Sequence, residues 1–151
     1  MSRLNDADKK ILNRIQSDFP MKSKPYLELA EELGLSEKEL IERVTRLKQD
    51  GIIRRIGANL APARLGFVST LCAAAVPEDS IDAFARCVNQ YAGVTHNYVR
   101  QGNFNVWFTF IAPSMEEIKS SLAAISRETG VKEILNLPAT QIFKIRAQFD
   151  L

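Results

Sequence analysis

The 151-residue sequence has one histidine, one tryptophan and two cysteines, and each scarcity excludes something. A single imidazole and no Cys-x-x-Cys pair argue against a zinc or iron–sulfur centre built from the protein's own side chains. Cys72 and Cys87 stand in apolar surroundings, so they read as small buried thiols, and a cytoplasmic home fits them better than a disulfide scaffold. The N-terminus is polar and charged, and no apolar run is long enough for a signal peptide or a membrane span. An excess of one charge is missing too. The net charge is +2, with 12 Lys or Arg against 10 Asp or Glu in residues 1–60 and 8 against 8 in residues 61–151. That is thin for a nucleic-acid binder, whose affinity comes from clustered cations. At 46% hydrophobic and 25% charged, the chain has the composition of an ordinary soluble globular protein able to bury a core unaided.

The patterning predicts two units with a boundary between residues 62 and 63. Asn5 or Asp6 caps a first helix bearing Ile11, Leu12 and Ile15, which stops before Pro20. Pro25 opens a second helix through Leu27, Leu29, Ala30 and Leu33, closed by Gly34. Ser36, with Glu39 three residues on, forms a capping box for a third helix carrying Leu40, Val44 and Leu47 and ending at Gly51. Two such helices joined by Gly-Leu-Ser make a helix-turn-helix, and Ile52, Ile53 and Ile56 read as a short wing strand behind it. From Gly66 the period changes. A strand at 67–76, a helix from Pro77, a hairpin at 94–110, a helix from Pro113 to Gly130 and an extended stretch at 131–149 give strand-helix-strand-strand-helix-strand. The predicted fold is α+β, a winged helix-turn-helix followed by a ferredoxin-like βαββαβ domain with an antiparallel sheet.

The hairpin holds both the only histidine and the only tryptophan. Gly102-Asn103 is a two-residue turn signal, which sets Arg100 opposite Asn105, Tyr98 opposite Trp107 and His96 opposite Thr109. Strand alternation gathers these six on one face and leaves Val99, Phe104, Val106, Phe108 and Phe110 on the other. One face is core; the other is polar and aromatic. On the third helix, Glu37, Glu39, Glu42 and Asp50 balance Lys38, Arg43, Arg46 and Lys48. Two glutamates occupy the turn that would read bases, where they suit the helix dipole and oppose phosphate.

This architecture resembles the Lrp/AsnC regulators over essentially the whole chain, notably in Leu-Asn-Asp-Ala-Asp-Lys-Lys-Ile-Leu at 4–12 and Arg-Val-Thr-Arg-Leu-Lys-Gln-Asp-Gly-Ile-Ile at 43–53. More narrowly, Gly-Ile-Ile-Arg-Arg-Ile-Gly-Ala at 51–58, Val-Thr-His-Asn-Tyr and Asn-Val-Trp-Phe-Thr resemble the sirohaem decarboxylases of haem and haem d1 synthesis. The resemblance implies a substrate, sirohaem, with eight carboxylate side chains and its own iron, and no cofactor beyond that iron. It also implies a product lacking two acetate carboxyl groups, didecarboxysirohaem, and a paralogous subunit as partner in a heterodimer, or a homodimer.

Such a ligand needs cations at its rim and an apolar slot. Arg54, Arg55 and Arg100 suit bidentate carboxylate recognition, Tyr98 and Trp107 offer ring faces to the macrocycle, and Asn97 and Asn105 are candidate orienting groups. His96 is either a general acid or an axial ligand to the substrate's iron. The residues alone leave that choice open, and each has a plainer reading: a structural histidine, an aromatic cross-strand pair, asparagines at strand ends, arginines on an exposed wing. Two other functions compete. One is a DNA-binding regulator acting through residues 36–50. The other is a non-catalytic subunit completing a partner's pocket.

Overall fold

The computed structural model describes residues 4–144 and 148–151. These form two compact units, one holding the chain up to Ala58 together with the described C-terminal residues Lys144 and 148–151, the other Asn59–Phe143. The division at 62 and 63 leaves the whole C-terminus in the second unit, but the structure returns it to the first for a local reason. The side-chain amide of Gln16 donates to Phe149 O (2.6 Å) and accepts from Phe149 N (2.9 Å), while Asn13 does the same for Leu151 (3.1 and 3.3 Å). Both backbones are thereby satisfied against the first helix.

In the N-terminal unit, α1 (Asp6–Ile15) is capped reciprocally. Asn5 accepts from Asp8 N and Asp8 accepts from Asn5 N. Helix α2 (Pro25–Leu33) begins on proline and closes at Gly34 in the left-handed region. Helix α3 (Glu37–Gln49) has only half of its predicted box. Ser36 Oγ accepts from Glu39 N at 3.2 Å, but the Glu39 carboxylate turns to Arg43 Nη2 at 2.8 Å. A charge-assisted bond wins over one to a neutral amide. Ile11, Leu29, Leu40 and Leu47 form the fully buried centre of this unit.

The predicted wing strand is not formed. Ile52 N and Ile53 N both donate back to Leu47 O at 3.0 Å, so the segment spends these donors finishing α3 rather than pairing with an edge. Ile53 joins the core; Ile52 and Ile56 stay exposed.

The second unit runs β1 (Val68–Ala74), α4 (Ile81–Val88), β2 (Val94–Val99), β3 (Val106–Ala112), α5 (Met115–Thr129) and β4 (Ile134–Leu137). The sheet order β2-β3-β1-β4 is antiparallel throughout, as a ferredoxin-like βαββαβ chain requires. Pro77 leads into a short 3-10 turn, Glu78–Ser80, before α4 begins. The extended stretch predicted for 131–149 contributes only β4 as strand, and its residues 145–147 lie outside the described ones. One sheet face packs Cys72, Ala74, Val106, Phe108 and Phe110 against Phe84 and Val88 of α4 and Ile118 and Ile125 of α5. Phe84 meets Phe108 edge to face at 6.3 Å. Each such phenylalanine contributes about 1.5–3 kcal/mol of burial, so the helices are committed to this side. The opposite face is left open, and it carries the candidate site.

Candidate active site

The strand register places His96 opposite Thr109, Asn97 opposite Phe108, Tyr98 opposite Trp107 and Val99 opposite Val106. Arg100 N donates to Asn105 O at 2.8 Å, completing the predicted pairing. Residues 101–104 are bends rather than strand, so the connection is wider than a two-residue turn. The register survives because both loops share one centre. Val99 departs from the prediction. It is 58% exposed, since β2 is the sheet's edge and only its Val94 packs against the core.

His96 sits immediately after a bulge at Thr95. Bulges re-aim strand side chains and recur beside functional sites. The Thr95 hydroxyl lies 3.1 Å from His96 Nδ1, and among the described residues Nε2 of this exposed ring has no partner. That nitrogen is available to ligate a metal or to hand over a proton.

Arg100 has Cζ 5.0 Å from the Tyr98 ring centre and 5.5 Å from that of Trp107. Among the described residues no carboxylate pairs with it, whereas Arg14, Arg43 and Arg46 are all engaged in ion pairs. The Trp107 indole N–H donates to Phe104 O at 2.7 Å. By register the same open face holds Ser69, Leu71, Ala73, Ile111, Leu135 and Leu137, and none of the residues within β1–β4 is acidic. A mostly apolar sheet face with a guanidinium at one end fits a large ligand that carries carboxylates.

The asparagines do other work. Asn105 Oδ1 accepts from Val76 N at 2.9 Å and its Nδ2 donates to Val76 O at 2.8 Å, so both amide ends are spent on backbone. Asn97 lies opposite Phe108, off the His96 face, and donates to Asn89 Oδ1 at 3.0 Å. Arg54 and Arg55 belong to the other unit. There they line a groove of about 530 Å³ together with Leu12, Ile15, Ile53 and Phe149. The contacts of Thr95 with His96 and of the Phe104 carbonyl with Trp107 were not legible in the sequence, because a bulge and a backbone acceptor leave no residue-type signal. No three metal-ligating side chains gather into a site among the described residues, and no described helix is long and apolar enough to cross a membrane.

The third helix shows what became of its cations. Asp8, only 2% exposed, accepts from Arg46 Nη2 at 2.7 Å and from Arg43 Nη1 at 3.0 Å, and Arg43 also holds Glu39. The hydrogen bonds that Arg43 donates, to Glu39 first and to Asp8 second, raise its pKa further above the ordinary value.

Two family profiles match the chain, "AsnC-like ligand binding domain" over residues 64–144 and "Siroheme decarboxylase NirDL-like HTH domain" over residues 8–54. The chain is 52% identical over 151 residues to the "Siroheme decarboxylase alpha subunit" of Desulfovibrio desulfuricans, covering 100% of this chain and 87% of that one. It is 38% identical over 148 residues to the "Siroheme decarboxylase NirD subunit" of Pseudomonas aeruginosa, covering 98% and 97%. The crystal structure of the siroheme decarboxylase NirDL aligns with a TM-score of 0.69 at 33% identity, over 97% of this chain and 48% of that one. Escherichia coli AsnC aligns at 0.81 but with 19% identity, over 97% and 98%, and shares the fold alone. The motifs around the histidine, the domain order and these likenesses agree: the chain belongs to the sirohaem decarboxylase family.

Proposed function

We propose that this chain is a sirohaem decarboxylase subunit that binds sirohaem on the open sheet face and takes part directly in removing two acetate carboxyl groups, giving didecarboxysirohaem. The observation that carries the reading is the pairing, among the described residues, of a His96 Nε2 without a partner and an Arg100 that no carboxylate holds, on strands that contain no acidic residue. Each decarboxylation releases carbon dioxide and leaves an electron pair on the methylene carbon, which a proton must then quench to a methyl group. Arg100 supplies a cation for a substrate carboxylate, and removing it weakens binding first. His96 serves either as the proton donor or as the axial ligand to the substrate's iron. Tyr98 and Trp107 line the same surface. Arg54 and Arg55 are separate carboxylate contacts belonging to the N-terminal unit.

The partner is a paralogous subunit, or a second copy of this chain, in keeping with the subunit names of the relatives. DNA binding is disfavoured by the internal pairing of Arg43 and Arg46. The test is anaerobic incubation with sirohaem, alone and with a candidate partner chain, followed by mass analysis. Loss of two carbon dioxide units is the expected result. If turnover with the partner is unaffected by His96→Ala and Arg100→Ala, this chain only walls the partner's pocket.

A further inference from the structure

We propose that Trp107 and Tyr98 are positioning residues for the Arg100 guanidinium, acting on the ligand through it, and that Asn105 fixes the strand end from which Arg100 projects. The proposal rests on the reading that Arg100 binds a substrate carboxylate and names the groups that prepare it to do so. An exposed arginine samples many rotamers, and a carboxylate that captures one must pay for ordering it. Here the guanidinium already lies over two cross-strand rings, at 5.0 and 5.5 Å, within the roughly 6 Å reach of a cation–π contact.

The shelf is itself held. The Trp107 indole is tied to Phe104 O at 2.7 Å, which fixes its rotation. Asn105 closes four bonds at the base of the hairpin: its side chain brackets Val76 N and O, its N–H donates to Ala74 O at 3.0 Å, and its carbonyl accepts from Arg100 N at 2.8 Å. The backbone of Arg100 is thereby locked to the end of β1. Rings hold a guanidinium without neutralising it, as a neighbouring Asp or Glu would. They accept none of its N–H groups, which stay available to match a carboxylate. A macrocycle stacked on those same rings would have to displace Arg100 first.

Trp107 is the chain's only tryptophan, so its emission reports the contact directly in ligand-free protein. Arg100→Ala is expected to change the intensity or maximum of that emission; identical spectra would overturn the proposal. Binding is then titrated with iron-uroporphyrin III as the probe, using the chain with its partner, in a double-mutant cycle. Trp107→Leu is expected to raise the dissociation constant about three- to tenfold in the wild-type background. On an Arg100→Ala background it should change less than about twofold, because the residue it serves is gone. Trp107→Phe, which keeps a ring, should recover most of the loss. Fully additive losses would mean that Trp107 touches the ligand by itself, and the positioning role falls. If the wild-type pair does not bind the probe, the tetrapyrrole reading fails instead, and the emission of the ligand-free protein still decides the positioning of Arg100.

Discussion

Arg46 places one guanidinium nitrogen 2.7 Å from both carboxylate oxygens of Asp8, joining the third helix of the helix-turn-helix to the first. Asp8 is 2% exposed and Arg43 reaches the same carboxylate, so two of the four cations of α3 face inward onto one buried anion. A buried carboxylate stripped of its partners, or two arginines stripped of theirs, is costly. Asp8→Ala removes this anchor and half of the α1 capping box. It should cost about 2–3 kcal/mol in urea unfolding, below the fully buried range because Arg46 is 45% exposed.

The same pairing sets an expectation for DNA. With Arg43 and Arg46 engaged and Glu37 and Glu39 in the first turn of α3, the helix offers little to phosphate. Fluorescence anisotropy with random and promoter-derived duplexes should show only weak, sequence-independent binding that vanishes at physiological salt. Tight binding to one duplex would restore the regulator as a function.

Gly93 stands at the entry to β2, two residues before the bulge that re-aims His96. A Cβ there would lie 2.0 Å from Ile111 O and 2.9 Å from Phe110 Cε2, while Gly93 O accepts the Ile111 N–H at 2.9 Å. Only a residue without a side chain lets the two strands approach this closely. Gly93→Ala should destabilise by about 1–3 kcal/mol and lower turnover in the fraction that remains folded. Gly57→Ala, in open space with an ordinary φ, is the control and should stay within about 0.5 kcal/mol of wild type.

Much of this was legible in the sequence, and the reasons differ by element. The hairpin register followed from turn chemistry and strand period, so His96, Tyr98, Arg100 and Trp107 arrive on one face as predicted. The first and third helices follow their caps at Asn5 and Ser36. What failed depended on partners that local pattern cannot name. Ile52 and Ile53 have strand composition, yet their amides find Leu47 O before any edge. Asn105 has the chemistry of a ligand contact, yet both ends of its amide are engaged by the Val76 backbone, while Asn97 lies off the His96 face and donates to Asn89. Asp8 looks like a capping residue and is also the anchor of two arginines 35 and 38 positions away.

The buried thiols give a pH dependence. Burial pushes Cys72 up to about 12 from an ordinary value of 9.0, and burial also raises Cys87, helped by Glu128, and Tyr91. In each case the folded state favours the protonated form. Their stabilising effect is therefore complete below the unfolded value and is lost as pH climbs from about 9 toward 12, because the unfolded chain sheds its protons first. Urea midpoints should fall from pH 8 to pH 10.5. Cys72→Ala should flatten that fall without abolishing it, since Cys87 and Tyr91 contribute in the same direction. At pH 8 the native protein should leave Cys72 unreacted toward a thiol reagent, with both cysteines reacting once denatured.

The role of His96 can be divided by using a ligand with and without iron. Thr95 Oγ1 engages Nδ1, which leaves Nε2 as the nitrogen that would act in either proposed role. His96→Ala should lower turnover at least about 100-fold, the usual cost of losing a positioned general acid. If the imidazole ligates iron, the same change also weakens binding of iron-uroporphyrin III and alters its visible spectrum, while the iron-free porphyrin binds as before. If it donates the proton, both porphyrins bind normally, the spectrum is unmoved and only product formation is lost. Thr95→Val removes the Nδ1 partner and should produce a weaker version of whichever pattern His96→Ala shows. Normal turnover with an unchanged spectrum in His96→Ala would remove the histidine from both roles and leave Arg100 as the functional group of this face.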